Sequence, residues 1–212
     1  MRLRNVKNKE EILNNSKFLV KDYFDNCGKW SSLFGNNNPI YIEIGMGKGK
    51  FIRENAKKNP DINFIGIEKY DSVVAKCLPK IDEDLSNLLI IRMDALDIDK
   101  VFDHEISRIY LNFSDPWPKT RHHLRRLSSR VFLEKYNNIF KDNKEIYMRT
   151  DNSDLFTYSL ESFSQNGYSL YDISLDLHSD IEDDDFITTE YEDRFSSKGM
   201  PIYSVVAVKS NK

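Results

Sequence analysis

Ile40-Tyr41-Ile42-Glu43-Ile44-Gly45-Met46-Gly47-Lys48-Gly49 is the stretch that decides the fold. It begins as an apolar run with β-favouring side chains, the pattern of a buried strand, and Glu43 interrupts that run just before the glycines. Gly45, Gly47 and Gly49 then let the backbone turn tightly and come close to a ligand. A helix is expected near 49–58, closed by Asn59-Pro60. A strand, a glycine turn and a helix in that order open a βα unit.

Outward from this unit the pattern repeats. Asn63-Phe64-Ile65-Gly66-Ile67 reads as a second strand ending in Glu68, with a helix around 71–80. Leu88 to Met93 reads as a third strand ending in Asp94, and Ile106 to Phe113 as a fourth, followed by Asp115. Val131, Phe132, Tyr136, Ile139 and Phe140 fall near helical spacing and place a helix at 128–140. Glu145 to Met148 is a fifth strand leading to Asp151, a helix near 153–165 precedes Gly167, and strands are expected near 168–175 and 202–208. Alternating elements of this length indicate an α/β fold: a Rossmann-like, mostly parallel sheet with helices on both faces. Before it, residues 1–34 read as a basic extension packed on the core, with one or two short helices, and 35–212 as the main domain.

Composition narrows the class. With 212 residues, 40% hydrophobic and 31% charged, the chain reads as one soluble globular domain. No apolar run approaches the roughly 20 residues needed to span a bilayer, and the N-terminus lacks the apolar core of a secretory signal. Cys27 and Cys77 suit neither a disulfide framework nor a zinc cluster and read as reduced thiols of a cytoplasmic protein. His122 and His123 lack further ligands at metal-binding spacing. The net charge of −3 is small, but its distribution is uneven. Lys119, Arg121, Arg125, Arg126 and Arg130 follow one another without a carboxylate, whereas Asp180, Glu182, Asp183, Asp184 and Asp185 lie in a stretch without Lys or Arg. One anion-binding face and a separate acidic surface follow from that asymmetry.

Open α/β sheets bind ligands outside the carboxyl ends of their strands. Glu43, Glu68, Asp94, Asp115 and Asp151 all fall at such ends, and five acids around one sheet edge exceed what turn formation explains. The glycine spacing is shorter than G-x-G-x-x-G, which argues against a pyrophosphate cofactor. Glu68, about 20 residues on, is placed to accept ribose hydroxyls. These features suit a nucleoside cofactor without a phosphate at the helix terminus. Trp117, between two prolines, reads as a packing anchor of a rigid loop or as a surface on which a base stacks.

Glu43-Ile44-Gly45-Met46-Gly47-Lys48-Gly49 with Glu68 resembles the cofactor half of class I S-adenosylmethionine-dependent methyltransferases. Phe113-Ser114-Asp115-Pro116-Trp117-Pro118-Lys119-Thr120-Arg121-His122-His123-Leu124-Arg125-Arg126 and Thr189-Glu190-Tyr191-Glu192 resemble one family among them, the bacterial tRNA (guanine-N7-)-methyltransferases. The resemblance implies methyl transfer to N7 of a guanine in the tRNA variable loop (position 46). It implies that Glu43, Gly45, Gly47, Gly49, Glu68, Asp94 and Asp115 hold the cofactor, with Asp115 also the catalytic residue. Lys119, Asp151, Thr189, Glu190, Tyr191 and Glu192 would hold the target nucleotide. Arg121, His122, Arg125 and Arg126 would bind RNA, in a monomer or homodimer. Rival readings fit less well. An amine methyltransferase would carry Asp/Asn-Pro-Pro-aromatic where Asp115-Pro116-Trp117-Pro118 stands. A relic RNA-binding module would have lost the acids, and a nicotinamide dehydrogenase would show other glycine spacing.

Overall fold

The computed structural model describes residues 6–181, 186–196 and 199–210. Arg2, Arg4 and the acidic residues Glu182, Asp183, Asp184 and Asp185 lie outside the described residues. The strands are β1 (Leu19–Val20), β2 (Ile40–Ile44), β3 (Asn63–Glu68), β4 (Leu88–Arg92), β5 (Ile106–Asn112), β6 (Lys144–Thr150), β7 (Ser169–Ser174) and β8 (Tyr203–Lys209). They form one sheet in the order β1-β4-β3-β2-β5-β6-β8-β7. All neighbours run parallel except β8, which is antiparallel to both β6 and β7. From β2 the chain builds outward to β3 and β4, then crosses to β5 on the other side. The order therefore reverses between β2 and β5, where such sheets open a crevice.

Alternation along each strand divides the core in two. Ile42, Ile44, Ile65, Ile67, Ile109 and Leu111 enter one buried cluster, while Phe64 and Tyr110 enter the other. The first cluster is covered by α2 (Trp30–Phe34), α5 (Arg130–Ile139) and α6 (Ser153–Gln165), through Trp30, Phe132, Tyr136, Leu155 and Phe163. The second is covered by α1 (Lys9–Asn15), α3 (Lys50–Lys58) and α4 (Asp71–Cys77), through Leu13, Phe51, Ile52, Val74 and Cys77. Full burial of each large apolar side chain contributes about 1.5–3 kcal/mol. The fold is thus the Rossmann-like α/β sheet expected, with helices on both faces.

Several elements differ in detail from the reading of the sequence. The helix expected around 71–80 tightens into a 3-10 turn at Leu78–Lys80, because Pro79 has no N–H to continue it. Thr120–Arg125 winds into another 3-10 turn. Residues before 35 supply more than short helices. Leu19 and Val20 extend the sheet beside Ile90 and Ile91, and Trp30 is fully buried in the main core. Two further short helices, α7 (Leu177–Asp180) and α8 (Glu190–Ser196), precede β8.

Candidate active site

The glycine turn after β2 stands at the switch point. Gly45, Gly47 and Gly49 all have positive φ (82°, 58° and 76°), a backbone that side chains with a Cβ rarely adopt. A Cβ on Gly49 would come within 2.4 Å of Cys77 Sγ, so Gly49 also lets α3 pack on α4. Beside Gly45 and Gly47 no atom of the described residues lies within 4 Å of that position, which leaves the turn open toward a ligand.

Two clefts meet at this turn, and Gly45 lines both. The larger, about 580 Å³, lies between Glu68, Tyr70, Asp94 and Leu96 on one side and Asp115, Trp117, Leu124, Arg125 and Phe132 on the other. Its acids differ in state. The Glu68 carboxylate is raised by burial, against three backbone N–H groups that favour its charge: Lys69 at 2.8 Å, Tyr70 at 3.1 Å and Gly47 at 3.2 Å. It therefore shapes the glycine turn as well as facing the cleft. Burial acts to raise Asp94 as well, but its bonds from Lys69 Nζ and the Leu96 N–H outweigh this and hold its carboxyl below the usual range. Asp115 is exposed at the cleft and, among the described residues, forms no hydrogen bond or ion pair.

The smaller cleft, about 270 Å³, is lined by Glu43, Asn112, Phe113, Thr189, Glu190 and Tyr191 with the glycine turn. Glu43 is 1% exposed, and burial pushes its carboxyl up to about 7 despite a 3.0 Å bond donated by Asn112 Nδ2. Among the described residues, Glu43 Oε2 and Asn112 Oδ1 at this cleft are buried without a hydrogen-bond partner, as is the nearby Ser114 Oγ. Buried oxygens rarely stay unpaired, so this seam fits a ligand that carries positive charge or donates hydrogen bonds. That is the chemistry of the aminoacyl and sulfonium end of S-adenosylmethionine.

The loop after β5 is held under strain. Phe113 and Trp117 have φ of 52° and 43° without being glycine, and such positions cost about 1–3 kcal/mol each. Two anchors hold it. Phe113 N–H donates to Arg149 O at 2.8 Å. Arg126, 4% exposed, donates from Nε to Pro116 O at 2.8 Å and stacks on Tyr158. Arg126, expected to meet RNA, has its guanidinium turned into the protein as a clamp on the Asp115 loop. Arg121 and Arg125 are exposed, with Arg125 lying over the Trp117 ring, and His122 meets that ring edge-on. Trp117 is half-buried on the cleft wall. Lys119 is exposed just before this turn.

Thr189-Glu190-Tyr191-Glu192 separates into two pairs. Thr189 Oγ1 accepts the Glu192 N–H at 2.9 Å, and Glu192 Oε2 accepts the Thr189 N–H at 3.2 Å. This reciprocal capping box starts α8. Glu192, expected at the substrate, is fully buried, does not line the cleft, and is held in the capping box. Glu190 and Tyr191 do face the cleft. Tyr191 packs against Phe113 and donates its hydroxyl to Asp151 at 3.1 Å. Reading the sequence alone misses Asn112 and Arg149. Asn112 carries a signal, an amide ending an apolar strand, whereas nothing local marks Arg149.

Comparisons with known proteins fit this geometry. Residues 37–205 match a protein family described as "Putative methyltransferase". A tRNA (guanine-N(7)-)-methyltransferase of Oceanobacillus iheyensis is 50% identical over 96% of each chain. One from Lachnoclostridium phytofermentans is 47% identical over the full length of both. Among solved structures, an antibiotic-related methyltransferase superposes with a TM-score of 0.65 at 17% identity, covering 91% of this chain and 96% of its own. A 16S rRNA (adenine(1408)-N(1))-methyltransferase from Catenulisporales acidiphilia gives 0.62 at 12% identity, covering 92% and 97%. At such identities these two speak to the fold alone. With relatives this similar along its whole length, the chain belongs to the tRNA (guanine-N(7)-)-methyltransferase family.

Proposed function

We propose that this chain methylates N7 of guanine 46 in the variable loop of tRNA, in the cytoplasm, with the donor lying in the larger cleft and reaching over the glycine turn to Glu43, and the acceptor entering the smaller cleft along Glu190 and Tyr191. The observation that carries the assignment is the shared wall. Gly45 borders both clefts, so a donor held in one and an acceptor held in the other would meet at the glycine turn. S-adenosylmethionine, bound in the larger cleft, supplies a methyl group on a positively charged sulfur.

The chain's own residues have a limited task. Glu68 and Asp94 hold the nucleoside end, and the glycine turn with Glu43 receives the aminoacyl end. Guanine N7 has an in-plane lone pair and no proton, so no base is needed before it attacks. Catalysis then rests on alignment, which is worth about 7–11 kcal/mol when reactants are well placed. Asp115 orients the reacting groups, and its charge complements the positive charge that develops on the purine. Glu190, Tyr191, Asp151 and Lys119 hold the base and its nucleotide, with Thr189 at the cleft wall. Arg121, His122 and Arg125 meet the RNA backbone.

The test is to incubate the protein with labelled S-adenosylmethionine and unmodified tRNA and digest the product to nucleosides. Label in 7-methylguanosine is expected, lost when position 46 is adenine. Label in any other nucleoside rejects the reading. Asp115→Ala is expected to lose methylation and keep its melting temperature, because the side chain supports nothing else. Unchanged turnover in that variant removes Asp115 from the mechanism.

A further inference from the structure

We propose that Arg149 is a positioning residue for the acceptor: from the end of β6 its guanidinium holds the 186–196 segment, and so Glu190 and Tyr191, against the smaller cleft. The inference rests on the reading of that cleft as the guanine site. Arg149 Nη1 donates to Ile187 O at 2.9 Å and to Glu192 Oε2 at 3.3 Å. The guanidinium lies over the Phe186 ring at 4.2 Å and over Phe51 of α3 at 5.2 Å. Glu192 Oε2 is the same atom that accepts the Thr189 N–H, so the arginine grips α8 through the carboxylate that starts it. His178 Nε2 stands 3.1 Å from the other oxygen of that carboxylate.

Further ties run from Lys50 to Thr188 Oγ1 at 2.8 Å and to Asp193 Oδ2 at 2.6 Å. These lie nearer solvent, where an ion pair contributes little. The Arg149–Glu192 pair is different, with side chains 15% and 0% exposed. Buried pairs of this kind are often no more stable than apolar pairs of similar size. What this one provides is a single geometry: one cation, reached from the sheet, meets the loop at Ile187, the helix at Glu192 and the ring of Phe186. The main-chain oxygen of Arg149 also holds Phe113, but that bond survives substitution of the side chain. Changes at Arg149 therefore act first on the Glu190–Tyr191 wall, and Glu68 and Asp94 in the larger cleft have no bond to it.

Arg149→Met alone strands a buried carboxylate and destabilises the fold. The deciding variant is Arg149→Met/Glu192→Gln, which removes both charges and keeps a side chain able to complete the capping box. Its affinity for S-adenosylhomocysteine is expected within about twofold of the parent, since misplacement of the acceptor acts on the reaction alone. Its kcat/KM for unmodified tRNA is expected to fall roughly 10- to 100-fold, the cost of an ångström-scale misplacement. Arg149→Lys, which keeps the cation and loses the fork, is expected in between. Parent-like kcat/KM in the double variant overturns the proposal. So does a loss of S-adenosylhomocysteine binding in step with methylation, which marks a structural role only. Should the double variant not fold, Arg149→Lys carries the same two readouts, and the same outcomes support or overturn the proposal. Glu190→Gln and Tyr191→Ala separate the two levels. If they impair methylation while the double variant does not, Arg149 loses its role and the guanine site stands. If they too are silent, the site reading falls and the proposal with it.

Discussion

Glu43 is the residue whose environment has the most direct consequence in solution. Burial raises its carboxyl to about 7, against an ordinary value of 4.5, with the Asn112 amide opposing. A folded-state value above the unfolded one means that the native protein holds the proton more tightly. The resulting stability is fully present below about pH 4.5 and is lost as pH rises through 7. The shift corresponds to about 3 kcal/mol at most, from 1.36 kcal/mol per unit. Glu68, raised in the same direction by burial, adds to the trend. Chemical denaturation of the ligand-free protein is therefore expected to show stability falling between pH 5 and 7.5 more steeply than in Glu43→Gln. Parallel pH curves for the two proteins would falsify the burial argument. A bound sulfonium or ammonium favours the carboxylate instead, so cofactor binding near neutral pH releases protons. Calorimetry in buffers of different ionisation enthalpy measures that release directly.

At the scale of elements, the basic turn Thr120–Arg125 and the clamp that follows it have separable effects. Arg121 and Arg125 are exposed and suit phosphate contacts, each of which contributes to salt dependence. Arg121→Ala and Arg125→Ala are each expected to weaken tRNA binding and to flatten its log–log salt slope by about one unit. Arg126→Ala is expected to leave the slope alone and lower the melting temperature, because it frees the strained Pro116–Trp117 backbone. Equal slope changes in all three would put Arg126 on the RNA after all. This contrast also marks how far the sequence reaches. Apolar β-favouring runs, helical spacing and acids at strand ends are legible, because each is a local pattern with a local cause. Arg125 and Arg126 are adjacent and chemically identical, and what separates them is Tyr158 and the carbonyl oxygens of Pro116 and Trp117, met only after folding. Likewise, Thr189 and Glu192 have the spacing of a capping box, yet the burial of Glu192 depends on Arg149, 43 positions earlier. Gly66 reads in the sequence only as part of a strand. Its missing Cβ leaves room for Met46, whose Sδ would stand 2.4 Å from it, and for Ile90 Cδ1, which would stand 2.9 Å away.

On the scale of the whole molecule, the order β1-β4-β3-β2-β5-β6-β8-β7 makes the described residues before 35 part of the fold. Their sequence has irregular apolar spacing and no strand pattern, so it reads only as an extension packed on the core, with short helices. The tertiary structure supplies what the pattern lacks. Trp30 is 0% exposed, its indole N–H donates to Val101 O at 2.8 Å, and it packs on Phe102. The N–H groups of Gly28 and Trp30 both donate to the Glu105 carboxylate, at 2.9 and 2.8 Å, just ahead of β5. The segment is thus tied to the chain that leads into the strand carrying Asn112 and the Asp115 loop. Truncating a buried Trp to Ala costs about 3–5 kcal/mol, a large share of the roughly 5–15 kcal/mol that typically holds a domain together. Trp30→Ala is expected to lower the unfolding free energy in urea by that amount while keeping one cooperative transition. A chain reduced to residues 35–212 is expected to lose the fold, since it removes β1 and opens the core beneath Phe102. If the shortened chain instead unfolds at the parent's midpoint, the segment is an appendage, and the anchoring of β5 through Glu105 contributes nothing to holding the active site.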